Sequence, residues 1–291
     1  MLKLHLLVID PQNDFCYPGF DTFAYHMGLG YDSSTDLPDE ILKQGSLYVP
    51  GAFEDMIRLG EMIERLGDKI YDIHVTLDTH HYLDIAHPSF WVSGSDGKSH
   101  PDPFTIVTPD DVDNGIWKSK VPSWQKRASQ YVHSLKDNNR YMLCIWPPHC
   151  MIGTFGHNVV QPLQTKLLNW EKKHGWIDYV TKGSNMYTEH YSAVCSDVPD
   201  PEDPTTHINR GLIEILEQAD IIAIAGEAKS HCVANTIRDI ANEFGEENAK
   251  KMTLLEDAMS NVPGFEDLGN QFIEDMKNMG VSISTTTDFL A

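Results

Sequence analysis

The stretch that decides the fold is residues 221–240, IIAIAGEAKSHCVANTIRDI. Its first five residues are apolar or small, which predicts a buried strand, and residues 226–231 predict a tight connection. From Cys232 onward, apolar residues recur on one side of a predicted helix. Cys232 therefore lies between a strand and the amino end of a helix, where unpaired amides and the helix dipole favour a thiolate. This position makes Cys232 a candidate nucleophile. The alternative is that Cys232 is only a small, buried apolar side chain.

The rest of the chain continues the alternation of strand and helix. Residues 4–9 are a continuous apolar run closed by Asp10, as expected of a central parallel strand. Further strands are predicted at 70–77, 177–181, 252–255 and 281–284, and helices at 53–66, 123–135, 159–170, 206–218 and 266–279. The pattern predicts an α/β fold: a doubly wound, mostly parallel sheet with helices on both faces.

Two long segments, approximately 20–50 and 88–145, interrupt this alternation. The first is mixed and polar and predicts an insertion or a long loop. Glycine and proline break the second repeatedly, and its aromatic side chains need burial, so we expect a functional lid or a subunit contact there. Because the chain shows no internal repeat and no second core, we expect residues 1–291 to form a single domain with insertions.

Composition narrows the class of protein. The chain has 43 Asp and Glu against 22 Lys and Arg, a formal net charge of -21. Such a surface repels nucleic acid and anionic membranes, so we expect neither as a partner. The five cysteines form no CxxC pair, which argues against a disulfide scaffold or a thiolate zinc site. The apolar run at the amino terminus is too short for a membrane span and has no signal-peptide pattern, so we expect a cytoplasmic protein.

Three reactive side chains are predicted at the carboxyl ends of strands: Asp10, Lys182 and Cys232. In a parallel sheet these ends converge on one crevice. Asp10 can accept a thiol proton and return it to a leaving nitrogen, while Lys182 can hold both anions by opposite charge. Taken singly, Asp10 could instead be a turn residue and Lys182 a solvated surface residue. Together the three residues predict attack of a thiolate on an acyl carbon.

A second group of residues has the composition of a metal site. Asp78 and His80 are two apart at a strand end, so their side chains point the same way in an extended chain. His149, in the segment WPPHC, offers a third ligand, and His87 or His81 a fourth. One carboxylate with two or three imidazoles suits zinc, and iron or manganese also accept these ligand types. Water would complete such a shell, which indicates a site for a substrate atom.

These residues stand in motifs that resemble the isochorismatase-like cysteine hydrolases, and within them the nicotinamidases. The resembling segments are VIDPQNDF at 8–15, DTH at 78–80, HPSF at 87–90, WPPHCMIGTFG at 146–156, TKG at 181–183 with YSA at 191–193, GEAKSHCVANT at 226–236 and LLEDAMS at 254–260. The WPPHCMIGTFG segment is the most specific to nicotinamidases. The chain departs from the family pattern in its long segment 88–145, in the wider spacing of His80 and His87, and in Val194 where phenylalanine is usual.

The resemblance implies a metal-dependent amidohydrolase that converts nicotinamide to nicotinate and ammonia through a cysteine thioester. By matched position it implies Cys232 as nucleophile, Asp10 as proton acceptor and donor, and Lys182 as the orienting cation. It also implies a nonproline cis peptide between Glu227 and Ala228, with the amides of Ala228 and Cys232 as oxyanion donors.

The resemblance further implies a divalent metal, with zinc as the first choice. The implied ligands are Asp78, His80, His149 and, as a fourth, His87. The pyridine nitrogen of the substrate would sit on the metal, and Phe15 and Trp146 would flank its ring. We also expect a homo-oligomer.

Other functions remain open at this stage. The same fold acting on another small amide is the nearest alternative, because the long segments surround the predicted pocket. Vinyl-ether hydrolysis, as in isochorismatase itself, does not call for the metal cluster. A noncatalytic small-molecule binding protein on a hydrolase fold, or a purely structural metal site, would not require all three catalytic residue types.

Overall fold

A six-stranded parallel sheet forms the centre of the fold. The computed structural model describes residues 2–28 and 38–291, and its strands are β1 Leu4–Ile9, β2 Ile70–Asp78, β3 Trp91–Ser93, β4 Ile106–Val107, β5 Trp117–Ser119, β6 Leu143–Cys144, β7 Asp178–Lys182, β8 Ile221–Gly226, β9 Met252–Leu255 and β10 Ser282–Ser284. The central order is β10-β9-β8-β1-β2-β7. The chain proceeds outward from β1 to β7 and then returns to β8 beside β1. Open α/β sheets bind ligands at such a switch point, outside the carboxyl ends of the strands.

Helices pack around the sheet in two groups. They are α1 Asn13–Cys16, α2 Phe20–His26, α3 Asp39–Leu42, α4 Ala52–Leu66, α5 Pro109–Asp113, α6 Gln125–Asp137, α7 Gln161–His174, α8 Arg210–Glu217, α9 Ala234–Ala249 and α10 Glu266–Asn278. Helix α4 packs on α7, and α9 packs on α8 and α10. The predicted doubly wound α/β fold is therefore confirmed. Among the described residues, no helix combines the length and the apolar character that crossing a membrane requires.

Apolar periodicity accounts for the best-predicted elements. Every residue of β1 is buried, as its continuous apolar run requires. Helix α4 follows Gly51, whose φ of +96° suits glycine, and buries Phe53, Met56 and Leu59 along one side. The helix predicted at 206–218 is shorter, because a separate turn forms at Pro204–Thr206 and the Asn209 side chain caps α8 by accepting from the Leu212 amide.

The two interrupting segments contain more regular structure than the sequence indicates. Within 88–145, β3 pairs with β5 and β4 pairs with β6, both antiparallel and outside the central sheet. Its aromatic side chains are buried only in part: Phe90 and Trp91 are fully enclosed, Trp117 and Trp124 are partly buried, and Phe104 is 50% exposed. Trp124 stacks on Phe90 with ring centroids 5.6 Å apart. The segment 20–50 contains α2 and α3, while its residues 29–37 lie outside the described ranges.

Candidate active site

The carboxyl ends of β1, β7 and β8 bring the three predicted reactive residues together. Lys182 Nζ lies 2.8 Å from Asp10 Oδ2 and 3.7 Å from Cys232 Sγ. All three side chains are buried. The geometry therefore joins a carboxyl group, an ammonium group and a thiol in one crevice, although their roles stay predictions.

Local backbone structure holds Asp10 in place after β1. Its φ of +44° is left-handed, which turns the chain sharply at the end of the strand. The Asp10 amide donates to the Thr76 carbonyl oxygen at 3.2 Å and to Thr76 Oγ1 at 3.0 Å, and Thr76 Oγ1 donates to Asp10 Oδ1 at 2.5 Å. With Oδ1 held by β2, Oδ2 faces Lys182.

Cys232 is presented by the connection that follows β8. Gly226 pairs with Ile9 at the end of the strand, and the predicted cis peptide between Glu227 and Ala228 is confirmed. A π-helical turn over Lys229–Val233 then precedes α9, so Cys232 lies inside this turn and not at the first residue of the helix.

The pKa of the Cys232 thiol differs from the sequence-based expectation. Burial raises the pKa of the Cys232 thiol well above its ordinary value, and the carboxylates of Asp10 and Asp78 raise it further against the opposing charge of Lys182. The predicted preference for a thiolate is therefore wrong for the resting site, because desolvation outweighs the favourable charge. Burial also raises the pKa of Asp10. Burial alone would lower the pKa of Lys182, but its acidic neighbours raise it well above the usual range.

The predicted metal ligands Asp78, His80 and His149 form a buried cluster beside this crevice. One donor atom from each lies within 4.8 Å of the others. Asp78 Oδ2 lies 3.0 Å from His80 Nε2 and 3.3 Å from His149 Nε2, while Asp78 Oδ1 accepts from Lys182 Nζ at 3.0 Å. Asp78 thus connects the cluster directly to Lys182, one of the three predicted reactive residues.

Neighbouring groups orient the two histidines. His80 Nδ1 donates to Asp84 Oδ2 at 3.0 Å, and His149 Nδ1 donates to the Pro147 carbonyl oxygen at 2.9 Å. Both rings therefore direct Nε2 toward Asp78. A carboxylate or carbonyl on the remote nitrogen is the usual support of a ligating histidine, so this donor set fits a divalent ion such as zinc. Asp84 is absent from the sequence-based prediction, although its spacing of four from His80 was a usable signal.

The two candidates for a fourth ligand differ in burial. His87 is buried, with Nε2 3.4 Å from His149 Nδ1 and its ring centroid 5.1 Å from that of His80. His81 is exposed. His87 therefore lies next to the cluster, and its ligation stays a prediction.

A small pocket opens between the cluster and the sulfur. Its lining residues are Phe15, Leu47, Asp78, Trp146, His149, Glu189, Tyr191, Ala228, His231, Cys232 and Val262. The predicted ring neighbours Phe15 and Trp146 and the predicted oxyanion residue Ala228 are all among them. Trp146 Nε1 donates to the Tyr191 hydroxyl at 3.0 Å, which holds one wall of the pocket.

Five lining residues were not predicted as site residues: the polar Glu189, Tyr191 and His231 and the apolar Leu47 and Val262. His231 directly precedes the candidate nucleophile, and its ring lies 5.2 Å from that of Trp146. Tyr191 was noted only as part of a motif. Tyr191 and His231 lie within the motifs YSA and GEAKSHCVANT, and Glu189 lies two residues before YSA, so these motifs were the available signal.

Comparison of the structure with solved structures gives consistent matches. A nicotinamidase and pyrazinamidase from Acinetobacter baumanii matches with a TM-score of 0.58 and 20% identity over 99% of both chains. The yeast nicotinamidase matches with a TM-score of 0.59 and 18% identity over 96% of this chain and 98% of that chain. A Pyrococcus horikoshii pyrazinamidase in complex with zinc matches with a TM-score of 0.51 and 18% identity over 97% and 99%. No protein-family model and no curated protein sequence matches the chain.

The chain has the isochorismatase-like hydrolase fold. An isochorismatase-like hydrolase from Alkaliphilus metalliredigens also matches, with a TM-score of 0.50 and 16% identity over 99% of this chain and 97% of that chain. The resemblance read from the sequence motifs is thus confirmed at the level of the fold. In this fold, the predicted reactive residues lie at the switch point between β1 and β8.

Proposed function

We propose that this chain is a metal-dependent amidohydrolase of the nicotinamidase type, which converts nicotinamide to nicotinate and ammonia. The observation that carries the proposal is the position of Lys182 Nζ, 2.8 Å from Asp10, 3.7 Å from Cys232 and 3.0 Å from Asp78. This lysine joins a thiol and its proton acceptor to a histidine and aspartate cluster in one pocket. The structural similarity to nicotinamidases supports the same reaction class.

Acylation begins when the Cys232 sulfur attacks the amide carbonyl carbon as its proton passes to Asp10. The electron pair of the carbonyl bond moves to oxygen, where the amides of Ala228 and Cys232 donate hydrogen bonds to the developing charge. Asp10 then protonates the amide nitrogen, the carbon–nitrogen bond breaks, and ammonia leaves. A thioester remains on Cys232. Because the resting thiol is protonated, attack and proton transfer are coupled.

Deacylation uses the same carboxylate. Asp10 removes a proton from water, and the resulting hydroxide adds to the thioester carbonyl carbon. The carbon–sulfur bond then breaks, the proton on Asp10 returns to the sulfur, and nicotinic acid leaves and loses its proton to solvent to become nicotinate. Lys182 stabilises the anionic partner in each step by its charge.

The ligand cluster would position the substrate. Asp78, His80 and His149 would hold a divalent ion, which would supply a Lewis-acid site for the pyridine nitrogen of nicotinamide. Phe15 and Trp146 would flank the ring. Zinc is the preferred ion for this donor set, and the zinc complex of the Pyrococcus horikoshii relative supports that choice. Homo-oligomer formation and a cytoplasmic location also stay predictions.

Ammonia release from a panel of small amides tests the proposal, with metal content measured on the same sample. We expect turnover of nicotinamide and pyrazinamide and much slower turnover of benzamide, which lacks the ring nitrogen. Failure of metal-loaded protein to hydrolyse either heteroaromatic amide would refute the assignment. Turnover of an unrelated small amide alone would instead support the alternative substrate class.

A further inference from the structure

A second cluster of histidine and aspartate lies on β1 and β2, away from the candidate active site. His5 Nδ1 lies 3.1 Å from His74 Nε2, and the two buried rings stack with centroids 5.3 Å apart. Asp72 Oδ2 lies 4.0 Å from His74 Nε2. One donor atom from each of the three residues lies within 4.8 Å of the others. The proposed reaction uses none of them.

Strand register explains the cluster. His5 pairs with Asp72 across the β1–β2 ladder, and His74 follows Asp72 by two residues. Alternate residues of a strand share a face, so these side chains project together. Asp178, the first residue of β7, pairs with His74 from the other side. Four polar side chains therefore lie side by side across three adjacent strands.

The geometry of the two rings resembles that of metal ligands. His74 Nδ1 donates to Asp178 Oδ2 at 3.0 Å, which leaves the lone pair of Nε2 directed at His5. A carboxylate in this position is a common support of ligating histidines. Two nitrogens bound tetrahedrally to zinc at about 2.0–2.1 Å would be about 3.3 Å apart. The distance of 3.1 Å between His5 Nδ1 and His74 Nε2 is already close to this value.

The surroundings also suit a cation. Nδ1 of His5 contacts His74, whereas Nε2 is buried and has no hydrogen-bond partner within the described ranges, so the ring proton can move to Nε2 and free Nδ1 for a metal ion. The Asp72 side chain is 33% exposed, which opens the site to solvent and allows it to move closer to the rings. Asp72 and Asp178 supply negative charge beside two imidazoles, and water can complete the coordination shell.

We propose that His5, Asp72 and His74 form a second metal site, for a divalent ion of the zinc, cobalt or nickel class. These ions accept mixed imidazole and carboxylate ligands. His74 and Asp78 are four residues apart on β2, which corresponds to about 13 Å along a strand. The ion therefore takes no part in the proposed amide chemistry. Its binding ties β1 to β2 and raises the stability of the folded chain.

Zinc titration of chelator-stripped protein tests this site. By calorimetry we expect two ions per chain in the wild type, one in His5→Ala and one in His80→Ala, which removes a ligand of the candidate active site. Asp72→Asn should weaken the second ion at least about tenfold, because it removes a charged ligand. Cobalt absorption in the visible region reports the coordination of each site separately.

The outcomes distinguish the two proposals. Two ions in His5→Ala with unchanged affinities would overturn the second site. A single ion in the wild type that is lost in His80→Ala would also overturn it, while leaving the proposed function intact. A single ion that is lost in His5→Ala would support the second site and count against the metal in the proposed function. If His5→Ala does not fold by circular dichroism, the Asp72→Asn variant decides, because the Asp72 side chain is 33% exposed; an unchanged affinity for the second ion would then overturn the site.

Discussion

Replacing Lys182 by methionine tests how the buried charges of the site depend on one cation. The ammonium group is 1% exposed and lies 2.8 Å from Asp10 and 3.0 Å from Asp78. Methionine keeps an unbranched side chain that is one heavy atom shorter and removes the charge. Two buried carboxylates are then left without their shared counter-ion, and we expect one of them to take up a proton.

The distances set the scale of the effect. At an effective dielectric constant near 20, each ion pair is worth about 5 to 6 kcal/mol of attraction. Much of this loss is offset, because the lysine no longer has to be desolvated and a carboxylate can be neutralised. Removing one partner of a buried pair typically costs about 3 to 5 kcal/mol. We therefore expect Lys182→Met to lower the free energy of unfolding by about that amount and to abolish ammonia release.

Urea unfolding of metal-free protein, with chelator present throughout, measures this change without a contribution from bound ions. Lys250→Met is the matched control, because Lys250 pairs with Glu247 at 3.0 Å on the surface and should contribute less than about 1 kcal/mol. Equal destabilisation of the two variants would refute the reasoning. A Lys182→Met protein with wild-type turnover would exclude the lysine from the mechanism.

Three further changes probe separate features. Burial raises the pKa of Asp197 to about 7 despite Arg140, so the folded protein keeps a proton that the unfolded chain loses near pH 4. The free energy of unfolding therefore falls by about 4 kcal/mol as pH rises from about 4 to 7. In Asp197→Asn, urea unfolding across this pH range should lack that fall. An unchanged pH dependence of the free energy of unfolding would contradict the reasoning. Gly226 has a φ of +126°, and the Cβ of an alanine there would meet the backbone of β1. Gly226→Ala should therefore lower stability by about 2 to 4 kcal/mol in thermal unfolding. Gly211→Ala in α8 is the control and should change stability by less than about 1 kcal/mol. Cys232→Ala should keep the fold and the bound metal but reduce turnover at least about 10³-fold and leave no acid-trapped thioester; an active variant would exclude covalent catalysis at this sulfur.

Sequence reasoning was most accurate where a local pattern was strong. The apolar run of β1 and the helical periodicity of α4 placed both elements within one residue of their bounds. It was least accurate in the segment 88–145. Its strands β4 and β6 are two residues each and form only because they pair across 35 intervening residues, which no local pattern indicates.

In the candidate site, too, residues with a local sequence pattern could be predicted and residues without one could not. Reactive residues at strand ends, Asp10 and Lys182 among them, could be recognised from the chain because a strand's apolar run ends at a visible polar residue. The side chains that complete the pocket, such as Glu189, have no pattern of their own. The cluster of His5 and His74 also escaped notice, since it depends on the register of two strands 69 residues apart.

The sequence by itself determined the alternation of strands and helices, the residue types at the strand ends, and the order in which they occur. These features depend on local propensity and on periodicity, which a chain carries before it folds. Only the tertiary structure decided that β8 returns beside β1, so that Cys232 meets Asp10 and Lys182 in one crevice. It also raised the pKa of the Cys232 thiol, because desolvation depends on everything packed around Cys232 and outweighs the local preference of a helix terminus.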